Sequence, residues 1–203
     1  MKKTVILLAF TLGVILLMGI LRSNKEVDLG AKARKQLERE YGTLGKTIDD
    51  LLRLEGSQPI HKILFAIKYK TELKLALRGI DGLSAPELRF YAMEDFERGV
   101  NMDGFSLYFY NDTGDYAEEA LAGLKEAGAK KAADIMSRAM SVFPAGRVPR
   151  DKTERQRIHD TIASVASPVW EQCGKEFFAG ANSIEDALLS YVKAHKTEFV
   201  FLQ

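Results

Sequence analysis

Residues 90–115 read FYAMEDFERGVNMDGFSLYFYNDTGD, and the fold of the whole chain turns on how this stretch is read. It carries seven of the nineteen aromatic residues, Phe90, Tyr91, Phe96, Phe105, Tyr108, Phe109 and Tyr110, interleaved with carboxylates and broken by Gly99, Gly104 and Gly114. Aromatics at this density predict a buried layer. The glycines predict two short helical pieces with a sharp turn between them, because glycine alone enters positive φ without steric cost.

The segment also resembles the signature of the DMP19-like family, also called the DUF4375 domain. The residues that carry the likeness are Gly104-Phe105, Tyr108, Phe109, Tyr110 and Asn111, then Gly114-Asp115, Gly128-Ala129 and Phe143-Pro144, in that order over about residues 83–144. Met102 and Asp103 stand where the family prefers Asn and Gly, and Leu107 stands where it often has Gln. The resemblance implies an all-helical binding domain without a known catalytic centre. The family's named member is a dimeric, acidic DNA mimic, so the resemblance also admits a homodimer.

Working outward, the start signals are clear. Ser84-Ala85-Pro86-Glu87 supplies a capping hydroxyl, an early proline and a Glu at the third helical position, opening a helix expected to reach Arg98 or Gly99. Upstream, Ile63, Ala66, Tyr69, Leu73 and Leu77 recur at helical spacing, with Lys62, Lys68, Lys70, Lys74 and Arg78 read as a solvated basic face. Thr47 with Asp50 predicts a capped helix to about Glu55. Downstream, Ala117 to Ala127 and Ala132 to Phe143 predict a tight helical hairpin turning at Gly128. Ile158, Ile162, Val165 and Val169 predict a further core stripe, with Ser167-Pro168 restarting the helix and Trp170, Cys173 and Phe177 continuing it. Asn182-Ser183 is read as the cap of a last helix, and the apolar tail Phe199 to Leu202 as packing back on the domain.

At the amino end, Thr4 to Leu21 is eighteen residues without a charge. As a helix it spans about 27 Å, near the hydrocarbon thickness of a bilayer. No small-x-small cleavage site adjoins it, so residues 1–22 are read as an uncleaved anchor and residues 4–21 as the contact with lipid. That makes the chain a single-pass membrane protein of the kind found in a bacterial inner membrane. The lysine and arginine count and the MKK start point to opposite sides for the domain. Residues 23–57 read as a charged tether, and 58–203 as the all-α domain, a compact multi-helix bundle.

Charge sets the functional expectation. From Gly82 to Ala120 there are nine acidic residues against two basic ones, whereas Lys125 to Asp160 has nine basic against five acidic. From Ser23 onward the sum is 26 bases and 28 acids, too nearly neutral for a broad phosphate-like surface. Direct contact with nucleic acid is not expected. The expected function is therefore a non-enzymatic, membrane-anchored module whose acidic helical face, Glu87, Glu94, Glu97, Asp103, Asp112, Asp115, Glu118 and Glu119, engages an unidentified basic protein. The alternative is a small metal-dependent hydrolase using Glu94, Glu97, Asp103 and Asp115.

No cofactor is called for. Asn101, Asp103 and Gly104 look like the middle of a calcium loop, but Gly99 and Tyr110 occupy positions where that loop needs oxygen ligands. His61, His159 and His195 are isolated, and the one cysteine, Cys173, lies on an apolar stripe.

Overall fold

The computed structural model describes residues 35–180 and 184–202, which divide into two compact units, residues 35–79 with 201–202 and residues 80–200. The segment 4–21 lies outside the described residues. No helix among those described is long and apolar enough to cross a membrane.

In the first unit a π-helical turn, Glu38–Gly42, precedes helix α1, Ile48–Leu52. The expected capping box forms: Thr47 Oγ1 accepts from the Asp50 amide at 3.2 Å, and Asp50 Oδ2 accepts from the Thr47 amide at 3.0 Å. The helix stops short of Glu55 because the amides of Leu54 and Glu55 turn back to carbonyls three residues earlier. Helix α2, Ile60–Arg78, ends on Gly79 in the left-handed region. Its lysines are not one solvated face. Lys68 and Lys74 are buried together with Ile63, Leu64, Ala66 and Ile67, so cover extends around most of the helix and snorkelling is closed to them. Leu77, expected in the core, is 73% exposed. Lys70 Nζ donates to the Gly42 carbonyl at 3.0 Å and lies 5.9 Å from the Phe201 ring centroid. Burial lowers its pKa.

The second unit is built on helix α3, Ala85–Tyr110. Ser84 Oγ accepts from the Glu87 amide at 3.2 Å and Glu87 Oε2 from the Ser84 amide at 2.8 Å, the reciprocal cap the sequence predicts. The helix does not stop at Gly99. It runs on to Tyr110, and its break is at Gly104, with φ 74° and ψ 176°. Gly99 instead permits a close approach, since a Cβ there would lie 3.0 Å from Tyr108 Cδ2.

A 3-10 turn, Asp112–Gly114, leads to the hairpin of α4, Ala117–Glu126, and α5, Lys130–Met140. After a second 3-10 turn, Pro144–Gly146, come α6, Lys152–Phe178, and α7, Glu185–Ala194. Among the described residues there is no β-strand, only a lone bridge between Glu55 and Gln58.

The aromatic layer is the core of this unit. Phe96 meets Phe105, Tyr108 and Phe177 at centroid distances of 5.9, 5.5 and 5.3 Å, and Phe109 meets Phe143 and Trp170 at 5.1 and 5.8 Å. Such pairs contribute about 0.5–1.5 kcal/mol each beyond their area. Trp170 Nε1 donates to the Ala139 carbonyl at 2.9 Å, tying α6 to α5.

Helix α6 differs from the sequence expectation in two ways. Pro168 does not restart a helix but sits inside one, with Ser167 Oγ donating to the Ala163 carbonyl at 2.7 Å in the same turn. The buried stripe is Arg155, His159, Ala166, Trp170, Cys173 and Phe177, one position off the apolar series 158, 162, 165 and 169, and Val165 is 69% exposed. The stripe is set by running back from Trp170 in steps of four and seven, and it passes through polar residues.

The tail packs back as expected. Phe199 meets Phe90 edge to face at 5.7 Å, and the Val200 amide donates to Glu87 Oε1 at 3.1 Å. The cap expected from Asn182-Ser183 lies outside the described residues. At the start of α7, Glu97 Oε1 accepts from the Ile184 amide at 3.3 Å.

Candidate functional site

Arg155 organises the signature segment. It is one of the nine bases counted from Lys125 to Asp160, yet it is fully buried. Nε donates to the Phe109 carbonyl at 2.7 Å, Nη1 to the carbonyls of Pro149 and Arg150 at 2.8 Å each, and Nη2 to the Asn111 carbonyl at 2.9 Å and Asp115 Oδ1 at 2.5 Å. All five N–H groups of the guanidinium are used. The family residues Phe109, Asn111 and Asp115 thus close the turn after α3 and clamp it to α6. Gly114 belongs to the same turn, because a Cβ there would lie 2.8 Å from the Tyr108 carbonyl oxygen. Burial raises the Asp115 pKa and the Arg155 hydrogen bond opposes that rise without cancelling it.

The other seven carboxylates of the expected acidic face do different jobs. Glu87 and Glu94 are buried, and Glu87 serves the α3 cap and the tail amide. Glu97 receives the Ile184 amide. Glu118 Oε1 accepts from the Val148 amide at 3.1 Å, Glu119 pairs with Arg150, and Asp112 pairs with Lys152 at 2.7 Å. Asp103 is exposed and pairs with no described residue.

The face is therefore not one surface. Its outward part is a strip of Asp112, Glu118 and Glu119, answered along its length by the basic segment 147–152. Beside the strip is an open cleft of about 480 Å³, lined by Glu118, Arg147, Val148, Pro149 and Glu154. Arg150 also lies over the Tyr116 ring, 5.1 Å from its centroid. Two of the strip's three carboxylates are paired with cations of the chain itself. Its pairs are half-exposed, so each contributes only about 0–1 kcal/mol.

The carboxylates of the hydrolase alternative do not converge: Glu94 is buried, Glu97 faces the start of α7, Asp115 is held by Arg155, and Asp103 is exposed. Among the described residues no three His, Cys, Asp or Glu side chains gather to hold a metal ion. The histidines are less isolated than their spacing suggested. His159 Nε2 lies 3.1 Å from Ser106 Oγ, with the ring stacked on Trp170 at 4.7 Å, and bridges α3 to α6. His195 lies between Glu126 and Glu198, at 3.2 and 3.5 Å.

Sequence reasoning missed Arg155 and His159 because a polar residue was assumed to leave a core stripe. The available signal was their spacing of fifteen and eleven residues before Trp170, close to whole helical turns.

Compared with known proteins, residues 81–195 match the family model described as DMP19-like protein. No curated protein and no solved structure matches the chain.

Proposed function

This chain belongs to the DMP19-like protein family, and we propose that its helical domain is a non-catalytic module that binds a basic protein segment at the strip Asp112, Glu118 and Glu119. The observation that carries this reading is the strip itself, three carboxylates at the α4 end of the signature turn whose present partners are a backbone amide and two half-exposed cations. Exposed ion pairs exchange at small cost, so a basic partner competes on nearly equal terms. Asp103, exposed on α3, is a further point of attraction for a cation. Complementary charge of this kind raises the association rate and selects the partner more than it sets affinity.

We further propose that residues 4–21 hold the module at a bilayer, on the strength of their uncharged run. The partner is then a protein met at the membrane surface.

Affinity capture with the full-length chain from solubilised membranes tests the binding reading. A protein retained by the wild type and lost on Glu118→Lys with Glu119→Lys supports it. Retention of the same protein by that double variant overturns the assignment to this strip.

A further inference from the structure

The segment Arg147-Val148-Pro149-Arg150-Asp151-Lys152 already lies along the acidic strip in the way a bound peptide would. Its Val148 amide donates to Glu118, its Arg150 pairs with Glu119 and covers Tyr116, and its Lys152 pairs with Asp112. The backbone is extended at Arg147, with φ −109° and ψ 132°.

Two different kinds of hold act on this segment. The main chain is fixed: Val148 is buried, and the carbonyls of Pro149 and Arg150 accept from the buried Arg155. The two cationic side chains are not fixed in this way, being 53% and 44% exposed. They can swing out while the backbone stays.

We propose that segment 147–152 is an internal stand-in for the partner, and that the matching partner is an extended basic peptide whose cations displace Arg150 and Lys152 from Glu119 and Asp112. The cations of such a peptide are spaced two residues apart, as Arg150 and Lys152 are, and one of them takes the place of Arg150 over Tyr116. An arginine suits that position best, because a planar guanidinium both stacks on a ring and forks onto a carboxylate. This rests on the binding function proposed above. It adds that the chain masks its own site and so weakens binding until the partner's cations outcompete its own.

The test uses the full-length chain in detergent and a fluorescein-labelled nona-arginine peptide, read by anisotropy. The unmasked variant carries Arg150→Gln and Lys152→Gln. The control carries Lys130→Gln and Lys175→Gln, two exposed lysines on α5 and α6, which change the net charge equally. Unmasking is expected to tighten binding about three- to tenfold over the control, since two exposed pairs no longer compete. Equal tightening in both variants, with binding still abolished by Glu119→Lys, overturns the masking and leaves the docking strip standing. No peptide binding by either the wild type or the unmasked variant overturns both.

Discussion

At the scale of single residues, the family signature is explained by one buried guanidinium. Arg155 satisfies four backbone carbonyls and one carboxylate, so Arg155→Met leaves Asp115 and those carbonyls without donors in a buried site. We expect a loss of about 3–5 kcal/mol in urea unfolding. Tyr108 is the opposite case. Its hydroxyl is buried with no hydrogen-bond partner among the described residues, and burial pushes its pKa well up. Tyr108→Phe should therefore leave stability unchanged or raise it by about 1 kcal/mol. Glu176 gives a pH prediction. The Arg138 hydrogen bond, helped by Gln172, lowers its pKa from 4.5 to about 2. A depressed carboxylate contributes in full above pH 4.5, and that contribution is lost as pH falls towards 2. The wild-type denaturation midpoint should accordingly fall more steeply over that window than the midpoint of Glu176→Gln.

At the scale of elements, local chemistry that acts over three or four residues was readable in advance. Thr47 with Asp50 and Ser84 with Glu87 form the caps their spacing predicts, and Ala117 to Met140 forms the hairpin. What was not readable depended on contacts distant in sequence. Gly99 and Gly104 look alike in the chain, but Gly99 stays helical against Tyr108 while Gly104 takes the positive φ of the break. The two kinds of glycine respond differently to substitution. Gly104→Ala meets open space, yet its φ of 74° with ψ of 176° suits only glycine, so a cost of about 1–3 kcal/mol is expected in thermal or urea unfolding. Gly114→Ala should cost more, because the new Cβ meets the Tyr108 oxygen and the Phe109 Cα, which are backbone atoms with nowhere to move. The register of α6 is a similar lesson. Counting apolar residues led to 158, 162, 165 and 169, whereas the stripe that packs contains Arg155 and His159.

At the scale of the molecule, acids and bases that form separate poles along the sequence are folded against one another. The stretch with nine acidic residues and the basic stretch after it meet as Glu119 with Arg150, Asp112 with Lys152 and Asp115 with Arg155. The candidate site was legible as a composition and not as a surface, because which carboxylates turn inward is decided by packing. Residues 4–21 give a separate expectation: the full chain should stay in the membrane pellet after alkaline carbonate washing, and a chain begun at Ser23 should move to the supernatant. On the function proposed above, the strip beside the signature turn binds through its charge and can be changed without harming the fold. The most direct measurement is capture by a charge-swapped chain, Glu119→Arg with Arg150→Glu, whose internal pair is preserved in reverse. The expected result is a wild-type urea midpoint together with loss of the captured partner; retention of that partner at a wild-type midpoint would overturn binding at this strip.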